Sequence, residues 1–197
     1  MDGTLFDSGI DFLAIRQDLE LPRDGLPILD QLQKLSPEKR ARGIELLHEA
    51  EARGAANGAL IPGASDLLTW LSKAGVRCAL VTNNSRRSAE AVLSRHPLPV
   101  DLVLTRDEGT TKPHPDLFLQ ALDRLDGRSS EAVAVGDTHL DALAAHAAGI
   151  SKIYLVGLSS QMAAFIPAGV AYTAASNLAD VRRRLDAWLQ SRRATAR

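Results

Sequence analysis

Two aspartates four residues apart, Asp137 and Asp141, lie in Gly136-Asp137-Thr138-His139-Leu140-Asp141, directly after the apolar run EAVAV. With one at a strand tip and the other on the first turn of the next helix, both carboxylates face one point. That pair suits a hard divalent cation, and it equally satisfies the positive end of a helix dipole. Lys112 precedes Pro113, and His114-Pro115 opens a helix, so its ammonium rides on an extended, stiff backbone. A cation fixed in this way suits an anionic substrate, although a lysine is most often a solvated surface residue. After the run VRCALV come Thr82, Asn83, Asn84 and Ser85, a hydroxyl and amides ahead of a helix. The free N–H groups of that helix offer an anion seat, and the same residue types make an ordinary N-cap.

For these residues to meet, their strands must end side by side. From residue 62 onward short β-branched runs, 76–82, 100–105, 131–137, 152–157 and a weaker 170–175, alternate with amphipathic segments. They are apolar along their length, as strands buried on both faces are. The helices between them have readable ends: Pro62-Gly63 before ASDLLTWLSKAG and Gly75 after it, Pro115 before DLFLQALDRL, and Thr138 and Gly149 around HLDALAAHAA. Strand and helix in alternation predict an α/β fold, a parallel sheet with helices on both faces, whose ligands bind at the carboxyl ends of the strands. Residues 9–58 carry no strand pattern. Phe12, Ile15 and Leu19 fall at helical spacing, then Ile28, Leu29, Leu32 and Leu35, then a third segment opened by Ser36-Pro37 with Ile44, Leu47 and Ala50 on one face. This reads as an inserted helical unit hinged at Asp7-Ser8-Gly9 and at Gly58 to Gly63.

The bulk properties narrow the partners. The chain has 197 residues, 45% hydrophobic content and a formal net charge of −1, which gives no electrostatic case for nucleic acid or an anionic membrane. No apolar run is long enough to span a bilayer. The basic cluster Arg182 to Arg184, Arg192, Arg193 and Arg197 reads as a solvated helix end. Cys78, the single cysteine, reads as a buried, inert thiol. No secretory signal opens the sequence, and the expectation is a cytoplasmic protein acting on small molecules. The histidines, His139 and His146 included, read as structural.

In this order, DGTLFDS, VTNNS, KPHPDLF and GDTHLDALAAHAAG resemble the motifs of the haloacid dehalogenase-like superfamily of phosphohydrolases, within it the phosphoglycolate phosphatase-like subgroup with a small helical cap. The resemblance spans the chain apart from the insert. It implies a Rossmann-like core over 1–8 and 59–197, a helical cap over 9–58, and Mg2+-dependent hydrolysis of a small phosphate monoester through an aspartyl-phosphate. By motif position, Asp2 is then the general acid and base, its carbonyl also a metal ligand. Thr82 and the Asn83 N–H bind phosphoryl oxygens, Lys112 neutralises phosphate and nucleophile, and Asp137 and Asp141 hold or orient Mg2+. The dehalogenating members lack the acid that Asp2 supplies, which favours phosphate esters.

One departure from the pattern stands out. The nucleophile implied by the resemblance is an aspartate two positions before Asp2, and Met1 is the residue between. The expectation is that the natural protein begins about ten residues or fewer upstream, completing a central strand. The competing expectations are a pseudophosphatase that binds Mg2+ and phosphate without turnover, and a phosphomutase or phosphonate hydrolase of the same superfamily.

Overall fold

The computed structural model describes residues 1–195. Elements are numbered in chain order. Strand β1 (Phe6–Asp7) pairs antiparallel with β2 (Ala59–Leu60), Phe6 opposite Leu60, and so brings together the two ends of the helical segment between them. That segment holds α1 (Phe12–Asp18), α2 (Ile28–Leu32) and α3 (Pro37–Asn57), as the periodicity predicts. Ser36 caps α3, its Oγ accepting the Lys39 N–H at 3.4 Å with Pro37 in the first turn. Leu19, Leu21, Ile28, Leu32 and Leu47 form the apolar cluster that holds the three helices together.

The remaining strands are parallel: β3 (Ala79–Val81) with β4 (Leu102–Leu104), and β5 (Val133–Gly136) with β6 (Lys152–Val156) and β7 (Thr173–Ala175). Around them lie α4 (Ala64–Lys73), α5 (Arg86–Arg95), α6 (Asp116–Arg124), α7 (His139–Ala147), α8 (Ser160–Ala163) and α9 (Leu178–Thr195). Gly75 and Gly149 end α4 and α7 with φ of +73° and +80°, a conformation that glycine adopts without strain.

The parallel strands form two pieces rather than one sheet. β3–β4 and β5–β6–β7 are separate, and β3 and β5 do not hydrogen-bond to each other. The consequence shows in burial. Ile153, Tyr154, Leu155 and Val156 of β6, flanked on both sides, are buried, whereas on the two strands facing the break Leu80 and Ala134 are buried and Ala79, Val81, Val133 and Val135 are half-buried.

Smaller features also differ from expectation. Cys78 is half-buried rather than buried. Its thiol is pushed up to about 11 by partial burial and the nearby Asp101 charge, which keeps it protonated and unreactive. The basic cluster does more than solvate a helix end: Arg183 and Arg184 each donate to Asp180 at 3.0 Å, Arg192 pairs with Glu131 at 2.7 Å, and Arg182 lies over the Trp70 ring. The Arg193 side chain and Arg197 lie outside the described residues. Among the described residues no helix is long and apolar enough to cross a membrane.

Candidate active site

The loops after β3, β4 and β5 and the turn before β1 surround a cavity of about 360 Å³. Asp2, Thr82, Asn83, Lys112, Asp137 and Asp141 all line it, so the residues to which the resemblance assigns site roles meet here.

Lys112 and Asp141 form its most ordered part. The Lys112 ammonium donates to Asp141 Oδ1 at 2.6 Å and to the Val81 carbonyl at 3.3 Å, and both side chains are about 10% exposed. Asp141 Oδ2 accepts from the Thr138 hydroxyl at 2.9 Å and the Thr138 N–H at 3.1 Å, a capping box that fixes the first turn of α7. Burial pushes the Asp141 carboxyl up, but Lys112 and Thr138 outweigh it and hold it well below the usual carboxylate range. The Lys112 backbone is pinned from outside. Its N–H donates to Asn83 Oδ1 and its carbonyl accepts from Asn83 Nδ2, each at 2.9 Å.

This arrangement refines the expected anion seat. The α5 N-terminus is taken by the protein's own carboxylates: the Ser85 N–H donates to Glu51 at 3.4 Å and the Arg86 N–H to Asp107 at 2.7 Å. The helix end is therefore not a free anion seat, and of the two readings of residues 82–85 it follows the N-cap, with Ser85 Oγ accepting the Ser88 N–H at 3.3 Å. The Asn83 side chain is likewise engaged with Lys112. What faces the cavity is the Thr82 hydroxyl, whose oxygen accepts the Asn84 N–H at 3.2 Å and whose proton is left to donate, together with the Asn83 N–H, which has no protein acceptor among the described residues.

Across the cavity the carboxylates are less well matched. Asp137 Oδ1 accepts from the buried Thr4 hydroxyl at 2.8 Å. Its other side rests on Gly3, where φ is +70° and a Cβ would overlap the carboxylate, so only glycine permits this approach. Burial, reinforced by the Asp141 charge, pushes the Asp137 carboxyl up to about 6. Asp2 Oδ2 accepts from Asn84 Nδ2 at 2.6 Å, while Asp2 Oδ1 is buried without a partner. A carboxylate whose charge is penalised, beside an orphaned carboxylate oxygen, is the chemistry of an oxygen-donor cation site. Among the described residues, however, no three His, Cys, Asp or Glu side chains are grouped closely enough to hold a metal.

Sequence reasoning did not single out Thr4 or Thr138 as site residues, and it placed Asn84 only in the anion seat, with no contact to Asp2. Thr4 had a signal, as the third residue of DGTL, whereas the Asn84–Asp2 contact joins positions 82 residues apart and has no local signature.

Residues 1–149 match the family model of the haloacid dehalogenase-like hydrolases. The chain belongs to this family. A phosphoglycolate phosphatase of Xanthomonas campestris pv. campestris is 31% identical over 176 residues, 78% of this chain and 79% of its own length. A haloacid dehalogenase-like hydrolase domain-containing protein of Arabidopsis thaliana is 28% identical over 155 residues, covering 73% of this chain but only 63% of that relative. This chain thus spans less than two thirds of the Arabidopsis protein. The solved structure of a hydrolase from Pseudomonas syringae superposes with a TM-score of 0.76 at 24% identity over 94% of each chain, the same Rossmann-like α/β fold.

Proposed function

We propose that this haloacid dehalogenase-like protein is a Mg2+-dependent phosphatase of a small phosphate monoester, with residues 9–58 as a helical cap over the site. The convergence of Thr82, Lys112, Asp2 and Asp137 on one cavity carries the proposal. In this reading the phosphoryl group lies between the Thr82 hydroxyl, the Asn83 N–H and the Lys112 ammonium, three donors for its equatorial oxygens. Asp141 holds Lys112 in place. Asp2, oriented by Asn84, gives a proton to the leaving oxygen and then takes one from the attacking water. Asp137 and the Asp2 carbonyl are the groups that would hold Mg2+, with Asp141 behind them through Lys112 and Thr138. When bound, Mg2+ supplies charge neutralisation between an anionic phosphate and an anionic nucleophile.

The phosphoryl acceptor in this proposal is a carboxylate two residues ahead of Asp2, on a strand inserted between β3 and β5. The break in pairing between these two strands supports it. The intact mass of the protein from its native host, followed by phosphate release from phosphoglycolate, sugar phosphates and phosphonates, tests the reading. A longer chain carrying that aspartate and releasing phosphate bears it out. A mass equal to residues 1–197, with tight phosphate binding and no turnover, replaces it with the pseudophosphatase reading.

A further inference from the structure

We propose that Glu51, on α3 of the helical segment, is a positioning residue for the phosphate-binding loop, so that docking of α3 and binding of phosphate are thermodynamically coupled. The inference rests on the phosphate site proposed above. Glu51 is 5% exposed. Its Oε2 accepts from the Ser85 hydroxyl at 2.7 Å and from Arg106 Nη2 at 3.2 Å, and its Oε1 is paired with Arg106 Nη1. Arg106 passes the contact on, with Nη1 donating to the Asn83 carbonyl and its own N–H to the Asn84 carbonyl, each at 3.1 Å. Asn83 in turn clamps the Lys112 backbone, and Asn84 donates to Asp2.

An unbroken run of hydrogen bonds therefore leads from a helix of the inserted segment to the lysine and the acid of the site. Every residue in it has a different partner on each side, so displacing Glu51 frees the Arg106 guanidinium that holds the Asn83 carbonyl, and with it the turn carrying the Asn83 N–H, while the Arg106 backbone N–H still holds the Asn84 carbonyl. A buried ion pair costs desolvation that the attraction does not reliably offset, and a guanidinium fork reaching both a carboxylate and a carbonyl confers geometry beyond charge. Close approach reinforces the docking: a Cβ at Gly54, one turn beyond Glu51, would press on Ser8. Because coupling is reciprocal, a loop held by α3 must hold α3 more firmly when phosphate fills it.

The test titrates inorganic phosphate with Mg2+ into the full chain and follows amide exchange in α3. Wild type is expected to bind phosphate and to slow exchange over residues 46–57 on binding. Glu51→Gln should weaken phosphate binding by about tenfold and abolish the slowing. Arg106→Lys, which keeps the charge but cannot bridge Glu51 and Asn83, should do the same with a smaller change in unfolding midpoint. Lys39→Ala, also on α3, which breaks only an exposed pair with Glu20 in the turn after α1, should do neither. A purely structural role would lower stability in Glu51→Gln and Arg106→Lys while leaving phosphate affinity and the slowing intact, and that result overturns the inference alone. Wild type that binds no phosphate overturns the site reading and the inference with it.

Discussion

Lys112 and Asp141 face each other at 2.6 Å, with the second Asp141 oxygen held by Thr138 and a second ammonium proton on the Val81 carbonyl, whereas across the same cavity Asp137 carries a charge that burial disfavours and Asp2 keeps a buried oxygen with no partner. One side is satisfied as it stands; the other has acceptor capacity in excess. Both sides are built from carboxylates at strand ends, so residue type does not separate them. What separates them is a cation that donates directly: Lys112 bonds Asp141, whereas Asp137 and Asp2 accept only from the neutral Thr4 and Asn84 side chains. The satisfied side holds its shape before any ligand arrives, and the unsatisfied side is where added positive charge or an added donor lowers the free energy most. Removing charge should therefore have opposite signs on the two sides.

The largest effect is expected on the satisfied side. Lys112→Met leaves Asp141 buried and unpaired, and urea unfolding should report a loss of about 3–5 kcal/mol together with loss of phosphate binding. A loss below ~1 kcal/mol would break the contrast, because the Lys112–Asp141 pair would then be a bystander.

Next in size, and opposite in sign, is Asp137→Asn. The folded carboxyl titrates at about 6 against an ordinary value of 3.8. The folded state thus binds the proton more tightly than the unfolded chain, so this group favours folding most below about pH 4 and the benefit is lost as pH rises through about 6. In EDTA at pH 7.5 the variant should be more stable than wild type by up to ~3 kcal/mol, since its amide oxygen still accepts from Thr4 and no charge is buried. At pH 4 the two should converge. Mg2+ should raise the unfolding midpoint of wild type above pH 6 and leave the variant unmoved. A variant less stable than wild type in EDTA would show that Asp137 is already compensated and that the two sides do not differ.

Much of this was legible in the sequence because its signals are local. The apolar runs and the proline and glycine stops gave the strands and helices of the core, and strand ends are where a parallel sheet gathers its ligands. Thr82, Lys112, Asp137 and Asp141 could be found for that reason. Glu51 could not. It follows Ala50 on a long helix whose polar residues are mostly exposed, and its partner Arg106 lies 55 residues away, so nothing nearby marks it as buried. The occupied N-terminus of α5 was hidden for the same cause, since capping residues predict a helix start but not which carboxylate reaches it from another element. The break between β3 and β5 is invisible to periodicity, which describes a strand's faces and says nothing of its edges; only the central strand implied by the resemblance and lacking before Asp2 pointed to it.

The smallest of these effects concerns the bond that spans the loops of the two sides. Asn84 is buried and gives Asp2 its one side-chain hydrogen bond, at 2.6 Å. Asn84→Ala removes the donor and leaves both Asp2 oxygens without a protein partner, which should cost about 1–2 kcal/mol in urea unfolding. Asp2→Asn removes the charge that makes the bond strong, so the double variant should lose less than the sum of the single losses, with a coupling of about 1 kcal/mol. That coupling should be smaller than the coupling a Lys112–Asp141 double-mutant cycle would give, because Asp2 is partly exposed and its orphaned oxygen already limits how well the group is held. Equal couplings for the two pairs would mean that Asn84 satisfies Asp2 as fully as Lys112 satisfies Asp141, and the excess acceptor capacity would then belong to Asp137 alone.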